Sequence, residues 1–144
     1  MGFFKMEGQK MPENRRLELA IKRAETAFMY VREITESHKH IEKKYKSLVR
    51  KTPMRIKTNG LGSTLAFVFS KKKGENQHFL FYHQLEKWLS ENDMVDAEDG
   101  EFVAKVIAME KADYRVSTNE LLAFLIWLRR FVDGMIEGEE DDDI

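Results

Sequence analysis

Apolar residues recur at steps of three and four along most of this chain, a spacing that places them on one face of an α-helix. The first stripe begins after Glu13, and the pattern predicts an amphipathic first helix whose apolar face packs on a core. Residues 1–12 show no such period and are predicted to be a loose N-terminal extension. The stripe consists of Leu17, Ala20, Ile21, Ala24, Ala27, Phe28, Val31 and Ile34.

A second helix is predicted from about His38 to Thr52. Pro53 has no amide hydrogen and disfavours a helical conformation in the residue before it. We therefore expect this helix to stop or kink at Pro53, with at most one further turn over residues 54–58. Its apolar face consists of Ile41, Tyr45, Leu48 and Val49.

The same period predicts further helices in the second part of the chain. The last of them has the clearest start signal, because Ser117 and Glu120 are spaced as a capping box. The acidic residues after Gly138 are most simply interpreted as a disordered, solubilising tail. The predicted helices span about 61–72, 77–90 and 101–111, and the last runs from Ser117 to about Met135.

These elements predict an all-α fold. The chain has 144 residues, a length that suits one domain, and no stretch has the alternating pattern of a convincing strand. We expect a single-domain bundle of about six helices over residues 13–137, followed by the acidic tail of residues 138–144.

The composition excludes several classes of protein. The chain has no cysteine, which excludes disulfides and thiolate metal sites. No apolar run approaches the roughly 20 residues that span a bilayer. The first residues lack the apolar core of a signal peptide. We predict a cytoplasmic protein that makes no contact with a membrane.

The net charge of −1 conceals a strong asymmetry along the chain. Residues 38–73 contain 11 Lys and Arg but one acidic residue, Glu42, which gives this block a net charge of +10. Residues 74–144 contain 6 basic and 18 acidic residues, for a net charge of −12. A basic block beside an acidic half predicts two surfaces with different partners.

The basic block is concentrated on the second predicted helix, opposite its apolar face. Like charges at helical spacing repel each other, so stability alone does not explain their arrangement. The pattern predicts a surface that faces nucleic-acid phosphates, and the alternative is an ordinary solvated face. The basic stripe consists of Lys39, Lys43, Lys46 and Arg50; Lys44 and Lys51 lie on its flank, and Arg55, Lys57 and Lys71–Lys73 extend the block.

The segment Asn59-Gly60-Leu61-Gly62 leads into the third predicted helix. Free amides at a helix start can hold a phosphate, and glycines let a backbone approach closely. However, the segment matches neither the dinucleotide-binding fingerprint nor a nucleotide-binding loop. A tight turn between two packed helices is the simpler interpretation.

The histidines and aromatic residues show no catalytic signature. His38 and His40 are two residues apart and His78 and His83 five apart, and neither spacing forms a helical metal motif. We therefore predict no catalytic residue, no metal site and no cofactor. Most aromatic residues have core spacing, while Phe67 and Phe81 fit it least and are the better candidates among them for an exposed contact with RNA or another subunit.

The chain resembles the Cmr-type small subunit family of type III-B CRISPR effector complexes. The resemblance begins at Arg23-Ala24, continues through the basic block to Pro53 and covers roughly residues 16–137. Its most specific part is Thr58-Asn59-Gly60-Leu61-Gly62-Ser63-Thr64-Leu65-Ala66-Phe67. It closes with Leu122-Ala123-Phe124-Leu125-Ile126-Trp127-Leu128-Arg129-Arg130-Phe131.

The resemblance implies a non-catalytic structural subunit in antiviral defence. Several copies would stack beside the guide-carrying backbone subunits, with the large subunit and neighbouring copies of itself as further partners. Guide RNA and target RNA would lie along this filament and be contacted through their backbones. The candidate RNA-binding residues are Lys39, Lys43, Lys46, Arg50, Lys51, Arg55, Lys57 and Asn59.

Two other classes remain as alternatives. A helical protein–protein adaptor without RNA contact would have the same fold. A DNA-binding regulator would need a recognition helix with base-reading side chains, and the apolar helix after the glycine turn argues against it. An RNA-degrading enzyme would need a site that the sequence does not indicate.

Overall fold

The computed structural model describes residues 12–96, 98 and 100–141. These residues form six α-helices, a short 3₁₀-helix and no strand, which confirms the predicted all-α, single-domain bundle. The predicted extension of residues 1–12 lies outside the described residues except for Pro12. The helices are α1 (Glu13–Ser37), α2 (Glu42–Asn59), α3 (Leu61–Ser70), α4 (Gln77–Glu91), α5 (Phe102–Ile107) and α6 (Lys111–Met135), and the 3₁₀-helix Lys39–Ile41 joins α1 to α2.

One hydrophobic core holds the helices together. The two longest helices, α1 and α6, pack along each other, and α2 packs against α3, α4 and α6. The ring of Trp88 on α4 stacks on Phe124 of α6 with centroids 4.5 Å apart. The largest fully buried side chains come from several helices and include Ile34, Tyr45, Leu48, Leu65, Tyr82, Trp88, Phe102 and Phe124.

The predicted end of the second helix near Thr52 is wrong, because α2 continues through Pro53 to Asn59, and the further turn expected over residues 54–58 is part of the same helix. Proline leaves one carbonyl of the preceding turn without its helical donor. Burial on the same face compensates, since Leu48, Thr52 and Ile56 all point into the bundle. The hydroxyl of Thr52 also donates a hydrogen bond to the Leu48 carbonyl at 2.6 Å.

The predicted start of the last helix is also wrong. Helix α6 begins at Lys111, and Ser117 lies buried inside it rather than at its N-terminus. Glu120 makes no capping box, because its carboxylate is buried against Arg23 of α1 and Trp88 of α4. A local spacing rule misplaced this helix start because the tertiary partners of Glu120 are far away in sequence.

Several apolar side chains are more exposed or more buried than the helical period of the sequence predicts. Leu17 and Ile21 are 59% and 58% exposed, since the N-terminal half of α1 presents them to solvent. Phe81, a candidate for an exposed contact, is fully buried and packs edge-on against Tyr45. Phe67 is half-buried, with the Arg55 guanidinium over its ring.

None of the described helices combines the length and the apolar character needed to cross a membrane.

Candidate nucleic-acid interface

Helix α2 places the basic stripe at the surface because its opposite face is fixed in the core. Tyr45, Leu48 and Val49 are fully buried. The hydroxyl of Tyr45 donates a 2.5 Å hydrogen bond to Oε1 of Gln84 on α4. Burial raises the pKa of Tyr45 well above its ordinary value, so this hydroxyl stays protonated. These contacts fix the rotation of α2 about its own axis, and the cations are therefore turned outward.

The N-terminal part of the stripe is open to solvent. Lys39 has a side chain that is 79% exposed, and its Nζ lies 3.7 Å from the Glu42 carboxylate. Lys43 is exposed as well. Because Lys39 itself is exposed and its pair with the partly buried Glu42 is long, water and salt screen this contact, and both lysines keep their charge available for a partner.

The centre of the stripe is occupied by acidic groups from the end of the chain. One guanidinium nitrogen of Arg50 lies 2.5 Å from Oδ1 of Asp133, which belongs to α6. Its Nε lies 3.4 Å from the carboxylate of Glu139. The hydrogen bond to Asp133 raises the pKa of Arg50, with further contributions from the charges of Asp133 and Glu139. Arg50 thus binds two carboxylates at once.

Residues 136–141, named here the C-terminal segment, lie across α2 beside these pairs. Lys46 donates a 2.8 Å hydrogen bond from Nζ to the Ile136 carbonyl. The amide of Glu140 donates to the Lys43 carbonyl at 3.3 Å. Lys51 pairs with Asp141 at 3.3 Å. The interpretation of the tail as a disordered segment is therefore wrong for residues 138–141, whereas residues 142–144 lie outside the described residues.

The C-terminal end of α2 carries the remaining candidate residues. Arg55 lies with its guanidinium carbon 4.6 Å from the centroid of the Phe67 ring on α3. Lys57 and Asn59 are exposed in the last turn of α2. The structure thus places the predicted residues on one helix and its 3₁₀ lead-in, but in three different environments.

A further cation of the basic block lies just beyond α3. The Nζ of Lys72 lies 4.5–5.9 Å from the centroids of three aromatic rings, those of Phe69, Phe79 and Tyr82. A cation over aromatic faces is held by the negative potential of the rings. Lys72 is therefore positioned by these rings rather than by the stripe on α2.

The glycine segment after Asn59 is a packed turn. Gly60 has a φ of +90° and a ψ of 161°, a conformation that side chains rarely adopt. The amide of Gly62 donates a 2.8 Å hydrogen bond to the hydroxyl of Tyr114 on α6. A Cβ at either glycine would lie 3.4 Å from this hydroxyl. This amide is therefore already used, which supports the interpretation as a tight turn over that of a phosphate site.

The histidines are dispersed over the bundle. His78 is buried and packs edge-on against Phe67, whereas His83 lies at the surface with Nδ1 3.4 Å from Glu86. His40 is exposed beside α2. Within the described ranges, no group of three His, Cys, Asp or Glu side chains is placed to hold a metal ion.

Helical periodicity did not indicate the acidic residues that contact the stripe, which are Asp133, Glu139 and Asp141. Their signal was present in the charge pattern, because a block of net +10 and a half of net −12 in one small domain are complementary. The charge pattern predicts different partners for the two regions, whereas in the structure they bind each other.

The fold and the cationic helix define a small, all-helical, single-domain protein with a basic surface helix. A family model described as CRISPR-associated protein (Cas_Cmr5) matches residues 19–135. A crystal structure of a CRISPR-associated Cmr5 family protein from Thermus thermophilus superimposes with a TM-score of 0.63 at 26% sequence identity. The match covers 80% of this chain and 94% of that chain. The chain belongs to the Cmr5 family, the small subunit of type III-B CRISPR effector complexes.

Proposed function

We propose that this subunit is non-catalytic, stacks in several copies along the guide and target RNA, and contacts the RNA backbone through α2. The observation that carries this proposal is the orientation of α2. Its apolar face is buried in the core, while Lys43 and Lys57 are exposed and the other lysines and arginines of α2 are partly buried. Such a row of cations releases counterions when it binds phosphates, which provides affinity without base recognition.

The exposed ends of α2 are the first candidates for this contact. Among the described residues, no carboxylate lies within ion-pair distance of Lys43 or Lys57, and Lys39 has only the 3.7 Å pair with Glu42. Asn59 adds an exposed amide at the last turn. We infer that RNA first contacts these two ends of α2. The centre of the helix between them is covered by the C-terminal segment.

Sequence recognition would come from base pairing between guide and target rather than from this chain. Phosphate contacts fix position and orientation but carry no base information. Helix α3, which follows the glycine turn, is poorly suited to reading bases because Leu61, Leu65 and Val68 are buried in the core. This burial argues against the DNA-binding alternative.

The test uses the assembled effector complex with two matched triple variants. The first, Lys39→Ala, Lys43→Ala and Lys57→Ala, removes three cations from α2 and its lead-in. The second removes three exposed cations elsewhere: Lys87→Ala, Lys111→Ala and Arg129→Ala. Each lost phosphate contact to a single strand lowers the log–log salt slope by about 0.7, so the α2 variant should lose about two units. The control variant should keep the slope of the unsubstituted complex.

An unchanged affinity and salt slope in a normally assembled α2 variant would contradict RNA contact and favour the adaptor function.

One observation supports the adaptor function. Leu17, Ile21 and Phe28 form an exposed apolar row on α1, which suits contact with a neighbouring protein. In that case the α1 variant Leu17→Ser, Ile21→Ser should impair assembly, whereas the α2 variant should not.

A further inference from the structure

The C-terminal segment has a fixed starting point on the bundle. Ile136 directly follows α6 and is only 2% exposed, so its side chain is anchored in the core. Gly138 then adopts a φ of +79° next to the Lys43 side chain, which turns the chain along α2. The next three residues lie over the helix, with the Glu140 amide bonded to the Lys43 carbonyl. The segment is therefore positioned by packing and backbone contacts as well as by charge.

The groups that this end of the chain places on α2 resemble those of an RNA backbone. Arg50 receives carboxylates from Asp133 and Glu139, Lys51 receives that of Asp141, and Lys46 receives a carbonyl oxygen. Guanidinium and ammonium groups bind carboxylate and phosphate oxygens through the same charge-assisted hydrogen bonds. The carboxylate oxygens of Glu139 and Asp141 therefore mark where phosphates would bind if residues 138–141 moved away.

The contacts of the segment are weak enough to be exchanged. Arg50 and Glu139 are partly exposed, and the Asp141 side chain is 89% exposed. Ion pairs of this kind are screened by salt and contribute little individually. The carboxylates are, however, covalently tethered to the core through Ile136. This tether keeps them at a high effective concentration near α2. A polyanion with several phosphates can replace them together.

We propose that residues 138–141 are a built-in competitor of RNA for α2, which occupies Arg50 and Lys51 until RNA phosphates displace it. The proposal rests on the proposed contact between α2 and RNA. It assigns the exposed lysines at the ends of α2 to the first encounter, and Arg50 and Lys51 to the displaced state, while Lys46 keeps its hydrogen bond to the anchored Ile136 carbonyl. The segment would thereby weaken binding to any isolated RNA, whereas an RNA held along the whole assembly would displace it.

The test compares three full-length proteins for binding to oligouridine over a range of salt concentrations. The first is unsubstituted, the second carries Glu139→Gln and Asp141→Asn, and the third carries Glu18→Gln and Glu25→Gln on the exposed side of α1. Both variants change the net charge equally. The segment variant should bind about fivefold more tightly than the control variant. Its salt slope should be steeper by about 1.4. The reason is that Arg50 and Lys51 no longer give up a carboxylate of the segment when they bind an RNA phosphate.

A second readout follows the segment itself. In the unsubstituted protein, addition of oligouridine at constant ionic strength should shift the amide NMR signal of Glu140, because its hydrogen bond to the Lys43 carbonyl is lost. Equal affinities and slopes for the two variants, with an unmoved Glu140 signal while RNA binds, would overturn the competitor proposal and leave RNA contact intact. Failure of RNA to perturb any α2 signal in all three proteins would overturn both proposals.

Discussion

Arg23 and Glu120 are joined by two parallel hydrogen bonds of 2.8 and 2.7 Å between guanidinium and carboxylate, across the contact between α1 and α6. The same carboxylate accepts a 3.0 Å hydrogen bond from the indole nitrogen of Trp88 on α4. The Glu120 side chain is nearly inaccessible to water, whereas that of Arg23 is partly exposed. One carboxylate thus connects three helices at the centre of the bundle.

Replacing Glu120 with Ala should destabilise the protein by about 3 kcal/mol, because a largely desolvated guanidinium and a buried indole N–H would lose their acceptor. Chemical denaturation followed by tryptophan fluorescence measures this change. The control is Glu25→Ala, an exposed acid on α1, which should alter stability by no more than about 0.5 kcal/mol. Equal stabilities for the two variants would contradict a structural role for this network.

Gly60 and Gly134 should respond in opposite ways to replacement by Ala. Gly60 has a φ of +90°, and alanine in this region costs about 2 kcal/mol. Gly134 lies in the last turn of α6 with nothing within 4 Å of an added Cβ, so alanine should stabilise by about 0.5–1 kcal/mol. Thermal unfolding by circular dichroism measures both changes. A neutral Gly60→Ala variant would show that the turn relaxes.

Pro53 should lower the stability of α2. Alanine at this position would restore an amide donor for the preceding turn, and we expect Pro53→Ala to stabilise the protein by about 1 kcal/mol. The neighbouring exposed Met54 provides the control, since Met54→Ala should be nearly neutral in a denaturation experiment. A destabilised Pro53→Ala variant would mean that the ring packs in a way that outweighs the recovered hydrogen bond.

Stability should fall at alkaline pH through Tyr45. Burial raises its pKa in the folded protein far above the ordinary value of 10.0, while the unfolded chain titrates near that value. Above about pH 10 the unfolded state loses a proton that the folded state keeps, so stability is present below this pH and declines above it. The slope from one such group is at most about 1.4 kcal/mol per pH unit.

Denaturation curves between neutral pH and about pH 11 measure this effect. Tyr45→Phe should be less stable at neutral pH because the hydrogen bond to Gln84 is lost, but its stability should fall less steeply with pH. The control is Tyr114→Phe, which removes the hydroxyl that accepts a hydrogen bond from the Gly62 amide. Parallel pH profiles for Tyr45→Phe and the unsubstituted protein would exclude a contribution of Tyr45 to the alkaline loss of stability.

The sequence by itself determined the helices, the single core and the cationic character of α2. Helical periodicity is a local property, so the apolar faces around Tyr45 and Phe124 could be recognised from residues within a few turns. The same local pattern placed Lys39, Lys43, Lys46 and Arg50 on one side of a helix. It also contained the glycine segment at residues 59–62, whose interpretation as a tight turn the structure supports.

Only the tertiary structure decided which polar groups meet. Glu120 pairs with Arg23 across 97 residues and Arg50 with Asp133 across 83, distances over which no local spacing rule acts. The burial of Phe81 and the position of residues 138–141 on α2 likewise depend on how all helices pack together. Charge patterning showed that a basic and an acidic region exist, but Coulomb attraction is non-directional. Packing of α6 against α2, anchored by Ile136, brought the acidic end of the chain onto the basic helix.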